Sequence, residues 1–215
     1  MHLEIIDQKR INILKCLSSL PFMSQFSMGG GTSLSLQLGL RTSVDFDFFS
    51  SEHFNVNSLL ETIKASFDNV EVINIDEKLS TLDLFINNVK VSFFEYKYKL
   101  LESPISFDEF NNLKLLSVYD IAAMKIIAII QRGTKKDFFD LYFIIKNFSL
   151  SISDLFSILD KKYNNPDLKY AFMMSMIYFE DAENDILPTC FVPYSWDEIK
   201  KYFFTLQKDV KKALK

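Results

Sequence analysis

The chain has 215 residues, of which 48% are hydrophobic and 24% charged, a composition typical of a globular protein of one large or two small domains. Its net charge of −4 offers no general basic surface to nucleic acid, and no apolar run approaches the roughly 20 residues of a membrane helix. The charges within MHLEIIDQKR do not suit a signal peptide, and Cys16 and Cys190 match neither a metal site nor a disulfide framework. We therefore expect a cytoplasmic protein without a membrane segment.

The first half of the chain mixes helical and strand patterns. Hydrophobic periodicity predicts helices over residues 4–20, 32–38 and 55–66. It predicts strands over residues 22–28, 43–49, 70–75, 81–86, 89–96 and 113–116. The pair Asn87-Asn88 stands between two of these strands and predicts a hairpin turn.

From Ser117 onward the pattern is helical throughout. The predicted helices cover residues 117–132, 136–148, 153–163, 167–179 and 195–215. The sequence therefore predicts an α+β or α/β fold, with a mixed sheet domain over residues 1–116 and an all-helical domain over residues 117–215.

Three of the five glycines stand together, as Gly29, Gly30 and Gly31, between a predicted strand and a predicted helix. A glycine-rich turn at a helix start directs several backbone N–H groups to one point, which suits phosphate, and Ser33 adds a hydroxyl donor. A tight turn explains three glycines equally well, and no Lys-Ser or Lys-Thr pair follows as in a P-loop.

Asp45 and Asp47 lie two residues apart on a predicted strand, so their side chains share a face, while Val44, Phe46 and Phe48 face the core. Two adjacent carboxylates repel each other unless a cation lies between them, and Mg²⁺ takes carboxylate and phosphate oxygens as ligands. Such metal ions serve phosphoryl and nucleotidyl transfer. The alternative is a strand edge that faces solvent.

The order of these residues resembles the signature of the DNA polymerase beta-type nucleotidyltransferase superfamily: Gly30-Gly31, thirteen residues, then Asp45-Phe46-Asp47. Four segments between about residues 20 and 205 are similar, more closely, to the AbiEii/AbiGii-type nucleotidyltransferase toxin family. They are GGTSLSLQLGLRTSVDFDFFS, VKVSFFEYKYKLL, DIAAMKIIAIIQRGTKKDFFDLYFII and YFEDAENDILPTCFVP.

The resemblance implies a nucleotidyltransferase-like mixed sheet domain followed by a helical domain. It implies transfer of a nucleotide from a nucleoside triphosphate, with tRNA acceptor ends or proteins as targets of some members. It also implies a cytoplasmic protein that is often the toxin of a bacterial toxin–antitoxin or phage-defence pair, so a cognate antitoxin is an expected partner.

The same resemblance assigns roles to individual residues by their position in the family's pattern. The nucleotide-binding residues are Gly30, Gly31, Thr32, Ser33, Lys125 and Arg132. The catalytic residues are Asp45, Asp47, Lys125 and Asp137, and the first two hold Mg²⁺ or Mn²⁺.

Lys125 is also notable from its surroundings, because it is the one charge in the apolar run AAMKIIAII. A lone buried ammonium group is costly, so it should meet a carboxylate or a phosphate. A structural ion pair, for which Asp137 is a candidate, or a side chain that extends outward to solvent, are the alternatives.

One position departs from the superfamily pattern. Many members carry a third carboxylate on the strand after the hairpin, where this sequence has Ser92 and reaches an acid only at Glu95. If Glu95 faces away from the aspartate pair, one metal binds well and a second weakly. A catalytically weak nucleotide-binding or antitoxin-binding module of the same fold is therefore the alternative function.

Overall fold

The structure is a computed structural model that describes residues 1–107 and 109–213. It divides into two compact units, Met1–Ser117 and Val118–Lys215. The first unit combines a mixed sheet with helices, and the second is helical, so the predicted fold class is confirmed. Residues 214–215 of the predicted last helix lie outside the described residues.

The first unit, which we call the sheet unit, contains a seven-stranded sheet in the order β3-β4-β5-β2-β1-β7-β6. The strands are β1 (Ser27–Met28), β2 (Phe46–Ser50), β3 (Val70–Asp76), β4 (Thr81–Ile86), β5 (Val89–Glu95), β6 (Ile105–Phe107) and β7 (Phe110–Leu115). The helices are α1 (Gln8–Ser19), α2 (Gly30–Leu38) and α3 (Val56–Ser66), with 3₁₀ turns at Leu3–Ile5 and Pro21–Gln25. The pairs β2–β5 and β1–β7 are parallel, and the other pairs are antiparallel.

The core of this unit follows the strand alternation that the sequence predicts. Phe46 and Phe48 of β2 and Phe93 of β5 are fully buried on one face of the sheet, together with apolar residues of α1 and α3. The Asn87-Asn88 hairpin is confirmed, because both residues have positive φ, 49° and 61°, as a two-residue type I′ turn requires.

Two predictions for this unit are wrong. The strand expected over residues 22–28 is a 3₁₀ turn from Pro21 followed by the short β1, because proline fixes φ and favours a first helical turn. The carboxylate strand begins at Phe46 rather than at residue 43, so Val44 is 50% exposed instead of buried. Its carbonyl accepts a hydrogen bond from Arg10 Nε at 2.9 Å instead of joining the sheet.

The second unit, the helical unit, is built around a helix that is apolar on most of its surface. Its helices are α4 (Val118–Gln131), α5 (Lys135–Phe148), α6 (Ile152–Tyr163), α7 (Asp167–Ser175), α8 (Glu180–Glu183) and α9 (Trp196–Ala213). The helix predicted to continue to Phe179 ends at Ser175, and α8 follows as a separate short helix.

In the described part of the chain, no single helix has the length and apolar character to cross a membrane. One pair of helices, Lys135–Phe148 and Ile152–Tyr163, meets that test by length and composition only, and is bent by 111° at its break.

Candidate active site

The glycine turn ends β1 and opens α2. Gly29 is the N-cap residue of α2, and no side chain caps the helix there. The first N–H groups of a helix have no partner within it, and the helix dipole places positive charge at the same point. The start of α2 is therefore suited to bind an anion through its backbone.

Gly30 joins this helix start to the carboxylate strand. It adopts a positive φ of 67°, and a Cβ atom at this position would lie 2.7 Å from Asp47 Oδ2. The N–H of Gly29 donates a hydrogen bond to the carbonyl oxygen of Asp47 at 2.9 Å. The missing Cβ of Gly30 therefore lets the carboxylate of Asp47 lie at the first residue of α2.

The hydroxyl groups after the glycines are engaged inside the sheet unit. Thr32 Oγ1 donates to the carbonyl oxygen of Asp45, which ties the start of α2 to the residue before β2. Ser33 is fully buried, and its Oγ accepts a hydrogen bond from Gln37 Nε2 at 3.3 Å. The O–H of Thr32 is thus used within the unit, whereas the backbone N–H groups at the start of α2 are donors suited to an anion.

Arg41 is a residue of this site that the sequence analysis missed. Its side chain is 2% exposed, and its Nη2 lies 2.7 Å from the point where a Cβ of Gly31 would stand. The guanidinium therefore adds a full positive charge beside the glycine turn. The sequence did contain an indication of its role, because Arg41 is the one charged residue between Phe26 and Val44.

A row of polar side chains crosses the sheet from Asp47. Asp47 pairs with Ser92 of β5, and Ser92 pairs with Asp83 of β4, so the three side chains share one face. Ser92 Oγ donates to Asp83 Oδ1 at 2.6 Å. Ser92, which stands where many superfamily members have the third carboxylate, thus binds the carboxylate of Asp83 on the neighbouring strand. The sequence analysis did not identify Asp83 as part of this row.

Glu95 does not belong to this row. It lies three residues beyond Ser92 and hence on the other face of β5, where it contacts Lys97 Nζ at 2.5 Å and His53 Nδ1 at 2.9 Å. Hydrogen bonds from Lys97 and His53 lower the pKa of Glu95 from 4.5 to about 2. Glu95 therefore pairs with Lys97 and His53 and does not share a face of the sheet with Asp47.

This lowered pKa predicts a pH-dependent loss of stability. A carboxyl group whose pKa falls on folding stabilises the folded state above its unfolded pKa, and the contribution disappears as the pH drops from about 4.5 to about 2. We expect Glu95→Gln to be less stable than the parent chain at pH 7 and equally stable near pH 2, measured by urea unfolding across that range. Glu102→Gln, at an exposed site, is the control. A constant difference at all pH values would contradict the assignment.

The helical unit holds a second charged cluster, formed by Lys125, Arg132, Asp137 and Asp140. Lys125 Nζ lies 3.0 Å from Asp137 Oδ1 and 2.7 Å from Asp140 Oδ2, and all three side chains are at most 7% exposed. Arg132 donates to both oxygens of Asp137, from Nε at 2.9 Å and Nη2 at 3.1 Å. The ion pair between Lys125 and Asp137 that the sequence left open is present.

Asp137 is held ionised by this cluster. Burial raises the pKa of its carboxyl group, but the charge of Lys125 and hydrogen bonds from Arg132 and Thr134 outweigh burial and hold the pKa well below its usual range. Thr134 Oγ1 donates to Asp137 Oδ2 at 2.6 Å. The start of α5 is thus a fixed negative charge enclosed by two cations.

The segment YFEDAENDILPTCFVP, one of the four that carry the family resemblance, folds onto the same helix start. Asp185 Oδ2 accepts a hydrogen bond from the backbone N–H of Lys135 at 3.0 Å, and Lys135 Nζ donates to the carbonyl oxygens of Glu183 and Asp185 at 3.0 and 2.7 Å. This segment therefore caps α5 and fixes the residues that lead into Asp137.

The predicted site residues form one group in each unit. In the sheet unit Gly30, Gly31, Thr32, Ser33 and Asp47 come together. Asp45 joins them by its carbonyl group, but it has an exposed side chain and precedes β2, so it does not lie on the strand where it was predicted. The helical unit brings together Lys125, Arg132 and Asp137. Among the described residues, no three His, Cys, Asp or Glu side chains are placed to hold a metal ion by themselves. Magnesium commonly uses one or two carboxylates and completes its shell with water and substrate phosphate, so the Asp47 carboxylate beside the uncapped start of α2 fits it.

The contact between Gly30 and Asp47 predicts the effect of one methyl group. We expect Gly30→Ala to destabilise the chain by about 1–2 kcal/mol through its left-handed backbone and to weaken binding of a magnesium–nucleotide complex, since the new Cβ displaces Asp47. Gly39→Ala is the matched control, because Gly39 has φ of 66° at the other end of α2. Urea unfolding and calorimetric titration measure the two effects. Equal nucleotide affinities of both variants would contradict the role of Gly30.

Comparison with known proteins gives three results. The model of a family described as nucleotidyl transferase AbiEii toxin, type IV TA system, matches residues 12–185. A protein of Aquifex aeolicus (strain VF5), described only as uncharacterized, is 35% identical over 193 residues, which cover 88% of this chain and 90% of that protein.

The third result comes from solved structures. A candidate nucleotidyltransferase from H. pylori superposes with a TM-score of 0.51 and 18% identity over 97% of both chains. The Megavirus polyadenylate synthase aligns with 65% of this chain and 32% of its own, at 16% identity and a TM-score of 0.47. The likeness to the H. pylori protein shows a shared fold.

Proposed function

The chain belongs to the AbiEii nucleotidyl transferase toxin family of type IV toxin–antitoxin systems, and from this membership we propose that it moves a nucleotide from a nucleoside triphosphate to a hydroxyl group of an RNA. In this proposal Mg²⁺ or Mn²⁺ is the cofactor, tRNA is the acceptor, and the chain is the toxin of its pair. A protein hydroxyl is the other acceptor that the family resemblance implies.

One observation carries the proposal for the sheet unit: the carboxylate of Asp47 lies at the uncapped start of α2, 2.7 Å from where a Gly30 Cβ would stand. An anion-binding backbone and a metal-binding carboxylate are thus neighbours. A magnesium-bound triphosphate needs both, because its phosphates require donors and its metal requires carboxylate oxygens.

The residues of the sheet unit have distinct tasks in this proposal. The backbone of Gly30 and Gly31 and the charge of Arg41 bind the triphosphate, and Thr32 and Ser33 fix the turn that presents them. Asp45 and Asp47 hold the divalent cation, which supplies positive charge to the phosphates when bound. The hydroxyl oxygen of the acceptor then attacks the α-phosphorus and gives up its proton to solvent, the bond between the α-phosphorus and the oxygen that bridges to the β-phosphate breaks, and pyrophosphate leaves.

Lys125 and Arg132 keep the role of nucleotide contacts that the family resemblance implies, and Asp137 keeps that of a catalytic carboxylate. Their geometry supports a positioning function, because Lys125 and Arg132 are held by Asp137 in fixed orientations. Electrostatic stabilisation depends on such charges being fixed in place before the reaction.

The test uses each of the four α-labelled nucleoside triphosphates with Mg²⁺ or Mn²⁺ and total tRNA. We expect label to enter the RNA fraction from one nucleotide, together with stoichiometric pyrophosphate release. Total cell protein replaces tRNA in a parallel reaction. Absence of label in both fractions with all four nucleotides would overturn the proposal.

A second candidate, a binding module without turnover, is favoured by Ser92 at the position of the third carboxylate. Calorimetric titration separates the two functions, since nucleotide binding without pyrophosphate release indicates the module.

Growth arrest on expression of the chain alone, relieved by coexpression of a neighbouring antitoxin gene, tests the toxin role. We place this action in the cytoplasm, which is supported by Cys16 and Cys190 not being joined in a disulfide.

A further inference from the structure

A cavity of about 300 Å³ opens in the sheet unit beside β1, β2 and β7. We call it the strand-end pocket. Its lining combines aromatic rings, aliphatic side chains, hydroxyl groups and one ammonium group, and includes Ser27, Phe49, Tyr96, Leu100, Lys114 and Leu116. This volume and this mixture of apolar walls with few polar groups are typical of small-ligand sites.

The pocket adjoins the proposed active site within the sheet unit. Phe49 lies two residues after Asp47 on β2, so both side chains share a face about 6.6 Å apart along the strand. A Cβ on Gly29 would lie 2.7 Å from Phe49 Cε2 and 3.0 Å from Leu116 Cδ1. The wall of the pocket therefore packs directly on the glycine turn.

A run of aromatic rings leads from the pocket to the surface. The ring centroids of Phe94 and Phe49 are 5.5 Å apart, those of Phe49 and Tyr96 are 5.4 Å apart, and those of Tyr96 and Tyr98 are 4.9 Å apart. Tyr98, at the end of the run, is 47% exposed. Phe94 and Phe49 are stacked, whereas Phe49, Tyr96 and Tyr98 meet edge to face, so the rings form a continuous row, which we call the platform, with one end open to solvent.

One basic residue lines the pocket, and two more flank the tyrosines in the sequence. Lys114 is part of the pocket wall, and Lys97 and Lys99 alternate with the tyrosines in the segment EYKYK, where Lys97 is paired with Glu95. Lys114 Nζ donates to the carbonyl oxygen of Ser24 at 2.5 Å, and no carboxylate pairs with it in the described ranges. Aromatic rings interleaved with cations are the usual means by which proteins hold single-stranded nucleic acid.

We propose that the strand-end pocket binds the 3′-terminal nucleotide of a single-stranded RNA end, which is the acceptor of the transfer. The terminal base stacks on Tyr96, its phosphate approaches Lys114, and the preceding base lies on Tyr98. This places the terminal ribose between Phe49 and Asp47, within reach of the carboxylates. The inference rests on the proposed function, whose acceptor it specifies as an unpaired RNA end.

The observations favour an RNA end over the base of the incoming nucleotide and over a peptide. An incoming nucleotide needs one base site, whereas Tyr96 and Tyr98 offer successive stacking positions that extend away from Asp47. A peptide acceptor would gain little from a ladder of rings bordered by lysines, because it brings neither stacked bases nor backbone phosphates.

The direct test is cross-linking of an RNA 3′ end. Periodate converts the terminal ribose of a single-stranded RNA of about 12 nucleotides to a dialdehyde, which forms a Schiff base with a nearby lysine and is fixed by borohydride. We expect the cross-link on Lys114, identified by mass spectrometry, and its loss in Lys114→Arg, which keeps the charge. A cross-link only at surface lysines such as Lys208 would overturn the proposal.

Affinity measurements give a second test with matched controls. Fluorescence anisotropy of the unmodified RNA should show about tenfold weaker binding for Tyr96→Ala and for the exposed Tyr98→Ala. Lys114→Ala should reduce the slope of log affinity against log salt by about 0.7. Tyr170→Ala and Lys208→Ala, at exposed sites of the helical unit, should leave both quantities unchanged.

Two further outcomes separate this inference from the proposed function. RNA binding at the pocket without nucleotide transfer would support the inference while the proposed function fails. Transfer to a protein with no effect of Tyr98→Ala or Lys114→Ala would leave the proposed function and overturn the inference. Weaker binding of the free nucleoside triphosphate by these variants, with RNA binding unchanged, would also overturn it.

Discussion

Asp47→Asn, alone or combined with Asp45→Asn, is expected to lower the rate of nucleotide transfer by about a thousandfold or more. An amide keeps the size of the carboxylate but removes the charge that holds the divalent cation beside the triphosphate. Asp45 is exposed and Asp47 is half-buried, and the amide fills the same space, so both variants should still fold. A thousandfold loss of activity in a folded variant therefore reports on the reaction and not on unfolding.

Pyrophosphate release under saturating nucleotide and Mg²⁺ measures this effect, and thermal unfolding confirms that the variants are folded. Asp68→Asn, an exposed aspartate of the same unit, is the matched control. Calorimetric titration adds a mechanistic check: Asp47→Asn should weaken nucleotide binding in the presence of Mg²⁺ more than in its absence. Transfer by Asp47→Asn at the parent rate would remove Asp47 from the catalytic residues.

The sequence contained more of this site than its pattern first suggests. A two-residue loop at Asn87-Asn88 fixes the hairpin register, so Ile86 faces Val89 and, three pairs further, Asp83 faces Ser92. Local turn chemistry was thus sufficient to place Asp83 beside the serine. The pairing of Ser92 with Asp47 was not predictable in this way, because β2 and β5 are parallel strands far apart in the chain.

At the glycine turn, by contrast, the sequence did not predict how the three glycines differ in conformation and contacts. Its three glycines are equivalent in the sequence, but Gly30 alone of them takes a positive φ, and Gly31 admits the guanidinium of Arg41. These differences arise from the tertiary approach of β2 and of the loop after α2. The same approach explains why β2 starts at Phe46, since Thr32 and Arg10 bind the carbonyl oxygens of the two residues before it.

In the helical unit, the sequence predicted a requirement but not the group that meets it. The one charge in the apolar run AAMKIIAII requires a partner of opposite charge, and carboxylate and phosphate satisfy that requirement equally well. Asp137 and Asp140 stand one turn apart on α5, and the packing of α4 against α5 brings both to Lys125. The partner was therefore decided by helix packing.

Lys125→Met is expected to destabilise the chain by about 3–5 kcal/mol, the usual cost of removing one partner from a buried ion pair. Asp137 keeps its two hydrogen bonds from Arg132, but Asp140 loses its contact with Nζ at 2.7 Å. Urea unfolding measures the change. Lys169→Met, which breaks a partly exposed pair with Asp160, should cost less than about 1 kcal/mol.

A double variant shows whether the uncompensated charge causes this loss. Adding Asp140→Asn to Lys125→Met removes one of the two buried carboxylates, so it should recover part of the stability, whereas Asp140→Asn alone should destabilise the parent chain. Additive losses would contradict the ion-pair explanation. Nucleotide affinity of the folded variants then tests the family role of Lys125. If the ammonium group also contacts phosphate, the affinity falls in Lys125→Met but not in Asp140→Asn, because a structural charge acts on stability and a binding charge acts on the ligand.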